Sequence, residues 1–162
     1  MPRVRVAYIM MKSFVSHSPA ETLAIAAQLA GQLQRGDTVA LLGDLGSGKT
    51  VFARGVAQAR GVKTPISSPT YTIQHTYTTP EGLLHHIDLY RIASADDVDM
   101  LDLDACWQDA LDITLIEWAE RAGNLLPPNT WRVTITTGKQ PDTRQIQITP
   151  PDQGTSNVQS RT

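Results

Sequence analysis

The chain has 162 residues, a length that fits one compact domain with a substantial core and leaves no room for a second catalytic domain. Fourteen Lys and Arg against sixteen Asp and Glu give a formal net charge of -2, which excludes the strong positive field of an autonomous nucleic-acid binder; any RNA contact is expected to be indirect or local. One cysteine excludes an internal disulfide, and without a bilayer-length apolar run or a clear secretory signal we expect a cytoplasmic protein with no membrane contact.

The first predicted helix begins at Ser18-Pro19-Ala20-Glu21, which is a capping box with proline at the first helical position. Apolar residues then recur at helical spacing, and the helix is predicted to end near Gly36. Residues 1–12, upstream of it, are either a leader or an extra strand.

A buried strand is predicted next, because residues 38–42 are apolar, partly β-branched and followed at once by glycines. Residues 50–60 form a predicted helix that Gly61 stops. Residues 71–79 and 83–90 then read as the two strands of a β-hairpin, with turn residues between them.

The second half of the chain predicts a short acidic helix from Ser94 to about Leu103, followed by strands at residues 112–117, 131–137 and 144–149. Strands joined both by helices and by a hairpin indicate a three-layer α/β domain with a mixed parallel and antiparallel sheet. We expect this single domain to cover residues 13–150 and residues 151–162, which are polar without a hydrophobic period, to form a disordered tail.

A phosphate loop of the pattern G-x-x-x-x-G-K-[ST] lies between the first strand and the second helix, which is the context that this motif requires. It reads Gly43-Asp44-Leu45-Gly46-Ser47-Gly48-Lys49-Thr50. Its glycines allow backbone N–H groups to surround phosphate oxygens, helped by the positive end of the following helix. Lys49 is predicted to reach the β- and γ-phosphates, and the Thr50 hydroxyl to bind Mg²⁺.

A magnesium-nucleotide site also needs a carboxylate, and two acidic residues are candidates: Glu117 ends the predicted strand 112–117, and Asp88 ends the more polar run 84–87. We favour Glu117, after the apolar run 113–116, as the metal-side carboxylate. Asp88 would hold a metal-bound water or orient the attacking water. His85 and His86 point to opposite faces of their strand and are therefore poorly placed to share a metal.

Two further features of the sequence each allow two interpretations. Residues 67–70, Ser-Ser-Pro-Thr, form either a mobile segment that senses the γ-phosphate or an ordinary turn. Trp118 packs either near the nucleotide or in the core.

Four segments together resemble one family, bacterial TsaE, also called YjeE. They are the phosphate loop, Ser68-Pro69-Thr70-Tyr71, His86-Ile87-Asp88-Leu89-Tyr90-Arg91 and Ile116-Glu117-Trp118-Ala119-Glu120. The resemblance implies a P-loop ATPase with weak intrinsic activity, ATP and Mg²⁺ as ligands, and the TsaB and TsaD subunits as partners in threonylcarbamoyladenosine (t6A) modification of tRNA. It also implies that Lys49 and Thr50 hold phosphate and metal, that Asp88 and Glu117 are the acidic partners, and that Thr70 belongs to a switch-like segment.

Two other functions use the same loop. A small-molecule kinase would need a lid with arginines and an acceptor pocket, for which Arg54, Arg60 and Arg91 are too scattered. A nucleotide-dependent interaction module would change its affinity for a partner on ATP binding alone, without useful turnover.

Overall fold

The computed structural model describes residues 10–109 and 111–152. The strands are β1 (Lys12–Ser16), β2 (Thr38–Leu42), β3 (Gln74–Thr79), β4 (Gly82–Asp88), β5 (Ile113–Glu117), β6 (Thr130–Thr137) and β7 (Arg144–Thr149). The helices are α1 (Pro19–Ala30), α2 (Lys49–Ala59), α3 (Ala95–Met100) and α4 (Ala105–Gln108), with a 3₁₀ segment over Ala119–Leu125. The predictions for residues 1–9 and 153–162 lie outside the described residues.

The seven strands form one sheet in the order β1-β7-β6-β2-β5-β4-β3. The four inner strands β6, β2, β5 and β4 run parallel to one another, whereas β1, β7 and β3 pair antiparallel with their neighbours. The predicted mixed sheet is therefore confirmed. Because parallel strands end on the same side, the carboxyl ends of β2, β4 and β5 meet at one edge.

Two hydrophobic clusters lie on opposite faces of the sheet. One joins α1 and α2 to β2, β5, β6 and β7, and its largest fully buried side chains include Trp131 and Phe52. The other packs α3, α4 and the 3₁₀ segment against Ala40, Ile87 and Ile116. Helices therefore cover both faces, and the three-layer α/β prediction is confirmed.

The predicted helix starts hold, but two predicted ends are wrong. Ser18 caps α1 by accepting from the Glu21 N–H at 3.1 Å, yet the helix ends at Ala30 rather than near Gly36. Leu33 still reaches the core through a tighter turn, which explains why the apolar period continued beyond the helix. Similarly, α3 ends at Met100 because Asp102 adopts a left-handed conformation (φ 53°), where the prediction ran to Leu103.

The predicted hairpin is present, with Thr79 paired to Gly82 across its turn. Its first strand begins at residue 74 rather than 71, because Ile73 has φ 69° and its N–H bonds back to the Pro69 carbonyl. Gly61 (φ 91°) stops α2 as predicted. No helix of the described residues combines the length and apolar character needed to cross a membrane.

Candidate functional site

The phosphate loop runs from the carboxyl end of β2 to the first turn of α2. Gly46 (φ 78°) and Gly48 (φ 106°) have backbone conformations that side chains other than glycine rarely adopt. At Gly43 a Cβ atom would lie 2.5 Å from the carbonyl oxygen of Ile135 on β6. The loop therefore follows a tight path along the sheet edge that requires glycine, and it brings the amino end of α2 to a concave surface.

Lys49 is buried, with 4% of its surface exposed, and lies within this loop. Its Nζ donates to the carbonyl oxygens of Gly43 (2.5 Å) and Asp44 (2.9 Å) and lies 4.1 Å from the centre of the Trp118 ring. Burial lowers the pKa of the Lys49 ammonium below its ordinary value of 10.5, against the opposing effect of nearby acids, first among them Glu117. The ammonium is therefore fixed in position, and it loses its proton at a lower pH than an exposed lysine does.

We expect affinity for a polyphosphate to begin to fall on the alkaline side below pH 10.5, because only the protonated Lys49 attracts phosphate oxygens and burial lowers the pKa of this ammonium. Affinity should be constant below the pKa of Lys49 and decline as pH rises through it. Titration of ADP binding in EDTA from pH 7 to 10.5 measures this effect, with far-ultraviolet circular dichroism as the control for unfolding. Constant affinity across that range would contradict the expectation.

Glu117 ends β5 and is held at both carboxylate oxygens. Its Oε1 accepts a hydrogen bond from the Thr50 hydroxyl at 2.8 Å, and its Oε2 lies 2.6 Å from Nε2 of His86. Because the Thr50 hydroxyl donates its hydrogen to Glu117, the lone pairs of its oxygen stay available to a cation. Thr50 and Glu117, 67 residues apart in sequence, thus form one oxygen-donor pair.

Asp88 ends β4 directly beside Glu117 in the parallel register. Its Oδ2 accepts from the hydroxyls of Thr70 (2.9 Å) and Ser68 (3.2 Å), and its Oδ1 accepts from the Tyr90 N–H at 2.8 Å. Both of its oxygens therefore have protein donors. The carboxylate ties the 68–70 segment to the sheet edge.

An aromatic wall borders the same region. Trp118 has φ 56°, and its ring lies 5.1 Å from that of Tyr90. Arg121 supports the pair by donating to the carbonyl oxygens of Tyr90 and Ile92 at 2.6 and 2.8 Å. Of the two interpretations of Trp118, the structure therefore favours a place beside the loop lysine, although the partly buried ring also packs against the core.

The phosphate loop, the two strand-end acids, Tyr90 and Trp118 line a cavity of about 360 Å³. Most residues predicted for the site line it: Leu45, Gly46, Gly48, Lys49, Thr50, Thr70, Asp88 and Glu117. The side chains of Asp44, which is exposed, and Ser47, which is buried against Gly43, are not part of the lining. Any contribution of these two would have to come from their backbone groups.

A somewhat larger groove of about 410 Å³ lies on the open sheet face formed by β1, β6 and β7. Its lining contains Thr, Gln, Ser and apolar residues and no ionisable side chain. The convergence of a lysine and two carboxylates at the phosphate loop outweighs the small difference in volume. The loop cavity is therefore the better candidate for a functional site.

Arg144 and His86 support the site from outside the cavity and were not assigned to it from the sequence, nor were the lining residues Val51 and Tyr90. Arg144 on β7 donates from Nε to the Ser47 carbonyl at 2.9 Å and from Nη2 to the Gly46 carbonyl at 3.4 Å, which holds the loop from outside. Nothing local in the sequence points to this contact, since 97 residues separate Arg144 from Ser47. His86 contacts Glu117. Its position two residues before Asp88 on the same strand places both side chains on one face of the sheet, and this spacing could have indicated its place near the site.

The sheet, the glycine loop and the strand-end acids together define a P-loop protein of the three-layer α/β class. A family model described as "Threonylcarbamoyl adenosine biosynthesis protein TsaE" matches residues 16–146. The chain belongs to the TsaE family.

Curated relatives and a solved structure agree with this assignment. A tRNA threonylcarbamoyladenosine biosynthesis protein TsaE from Mycobacterium tuberculosis (H37Rv) is 37% identical over 76% of this chain and 78% of its own length. The protein of that name from Bacillus subtilis (strain 168) is 36% identical over 82% and 81%. The crystal structure of Bacillus subtilis YdiB superposes with a TM-score of 0.70 at 28% identity, covering 90% of this chain and 89% of that one.

Proposed function

We propose that this chain is an ATPase required for t6A modification of tRNA, and that it acts on the complex of TsaB and TsaD through ATP binding and hydrolysis. One observation carries the proposal: Lys49, Thr50, Asp88 and Glu117 all line a single cavity at the carboxyl edge of the parallel strands. Contact with tRNA would be indirect or local, given the net charge of -2, and the place of action would be the cytoplasm.

The residues present fit a magnesium nucleotide. The loop supplies a buried ammonium and the amino end of α2, both suited to phosphate oxygens. Thr50 and Glu117 supply the hard oxygen donors that Mg²⁺ takes, and bound Mg²⁺ would neutralise charge on the phosphates. Within residues 10–109 and 111–152 no three His, Cys, Asp or Glu side chains form a metal cluster, which suits an ion that keeps most of its waters.

Asp88 accounts for the weak intrinsic hydrolysis that we expect. A carboxylate offers about four lone-pair sites, and those of Asp88 already accept from Thr70, Ser68 and Tyr90, which leaves little capacity to orient an attacking water. Movement of the 68–70 segment would free Oδ2. Productive hydrolysis would then depend on whatever shifts that segment, for which a partner subunit is the natural candidate.

The geometry is less favourable to a kinase. Arg60 is bound to the carbonyls of Ala30 and Leu33 and to Glu81, and Arg91 lies over the Tyr71 ring. None of Arg54, Arg60 and Arg91 lines the cavity. Among the described residues, the cavity therefore lacks the arginine lid that phosphoryl transfer to an acceptor would need.

We expect immobilised TsaB and TsaD to retain the chain when ATP and Mg²⁺ are present and to release it in EDTA without nucleotide. The physical reason is that the 68–70 segment and the exposed Leu45 border the cavity, so its occupancy changes the surface offered to a partner. A pull-down from purified components measures this. Retention independent of nucleotide would contradict a nucleotide-controlled association.

A tRNA modification assay beside the pull-down separates turnover from binding alone. A Glu117→Gln chain that is retained with ATP but fails to support repeated rounds of tRNA modification shows that hydrolysis matters. If that variant supports modification as well as the unaltered chain, the protein is an interaction module instead.

A further inference from the structure

His86 lies on β4 and is almost completely buried, with 1% of its surface exposed. Its Nε2 is 2.6 Å from Oε2 of Glu117, while Thr50 takes the other carboxylate oxygen at 2.8 Å. Since a carboxylate oxygen can only accept, the hydrogen of this bond belongs to Nε2 of His86. The flexible Glu117 side chain is thus fixed at both ends of its carboxylate.

The neighbouring His85 shows what a structural histidine looks like on the same strand. Its Nε2 lies 2.9 Å from Oδ2 of Asp112, and its Nδ1 lies 3.0 Å from the Thr76 hydroxyl. Both ring nitrogens are satisfied, and the whole group is away from the phosphate loop. His85 links β4 to β3 through Thr76 and to the start of β5 through Asp112, the residue before that strand, and it does not line the cavity.

His86 differs because its second nitrogen, Nδ1, is buried without a hydrogen-bond partner among the described residues. A buried unpaired nitrogen disfavours folding, and a buried ion pair is often no more stable than apolar residues of similar volume, so replacing both His86 and Glu117 by apolar residues would cost little stability. Stability alone therefore does not explain why this pair is present. Its position does, because the side-chain hydrogen bond of His86 holds a carboxylate that lines the cavity.

We propose that His86 is a positioning residue that holds Glu117 in the orientation in which its Oε1 and the Thr50 hydroxyl receive the magnesium of a bound nucleotide. The inference rests on the proposed function, since it assigns a role toward the same ligand. In the described part of the chain, His86 is not in the cavity lining, and its side chain reaches the site through its hydrogen bond to Glu117. Its effect should therefore appear in the magnesium dependence of binding rather than in phosphate recognition itself.

The test compares ADP affinity with Mg²⁺ and in EDTA for paired variants. His86→Leu should reduce the gain in affinity that Mg²⁺ provides by about 10-fold, the scale of a lost metal-orienting contact, while affinity in EDTA stays within about 2-fold. His86→Gln, whose amide can donate near the position of Nε2, should restore the gain. His86→Asn, with a shorter side chain, should not.

The matched control is His85→Leu, which removes a histidine with a carboxylate partner from the same strand. It should lower the melting temperature and leave the magnesium gain unchanged, whereas His86→Leu, which leaves the buried Glu117 carboxylate without its donor, should lower both. An unchanged magnesium gain in His86→Leu, or an equal loss of affinity in EDTA, would overturn the inference. If His86→Leu does not fold, the contrast between His86→Gln and His86→Asn decides the question in the same way.

The control conditions also separate this inference from the proposal on which it rests. If the unaltered chain shows no magnesium-dependent uptake of nucleotide, the proposed function fails. If it shows that uptake and the His86 variants match it, only the role of His86 fails.

Discussion

Replacement of Lys49 by alanine should weaken nucleotide binding by about 10²-fold and abolish hydrolysis. The side chain is the buried cation of the cavity, and the β- and γ-phosphates would lose a charge-assisted contact worth about 3 kcal/mol, or about 10²-fold in affinity. The loop itself should survive, because its path depends on Gly43 against β6 and on the Arg144 contacts to the carbonyls of Gly46 and Ser47.

Calorimetry with ATP and Mg²⁺ and a phosphate-release assay measure this effect. The control is Lys63→Ala, which removes an exposed lysine just beyond α2 and should bind as the unaltered chain does. Thermal unfolding of both variants tests that the fold is intact. Undiminished ATPase activity in Lys49→Ala would overturn the assignment of the site.

Glu117→Gln should reduce magnesium-dependent hydrolysis by about 10²-fold, a loss of the size seen when one electrostatic contact to the reacting group is removed. The amide keeps the shape of the carboxylate and can still pair with Thr50 and His86, so packing at the end of β5 should be little disturbed. Binding in EDTA should change by less than about 3-fold, because Glu117 acts through the metal.

Single-turnover hydrolysis at several Mg²⁺ concentrations tests this prediction, and nucleotide binding in EDTA is its internal control. Asp88→Asn is the comparison, because Asp88 lies beside Glu117 in the register but bonds to Thr70 and Ser68. A magnesium dependence that is lost in Asp88→Asn and kept in Glu117→Gln would reverse the roles assigned to the two acids.

Features whose physical cause is local were predictable. The strand at residues 38–42 and the glycine stop of α2 follow from apolar runs and backbone freedom, and both occur where they were predicted. The end of α1 was missed because Leu33 continues the helical period from a non-helical turn. Periodicity reports which residues are buried and cannot report which backbone hydrogen bonds bury them.

The features of the candidate site likewise fall into those that the sequence predicts and those that only the fold creates. The sequence by itself determined the phosphate loop, the loop lysine and threonine, and the two strand-end acids, because each is specified by residue type and by neighbours within a few positions. Only the tertiary structure decided that Glu117 meets Thr50, that Asp88 meets Thr70 and Ser68, and that His86 and Arg144 support the site. Those contacts join residues that are 18 to 97 positions apart, and the order of strands in the sheet, which brings them together, is not encoded in any short segment.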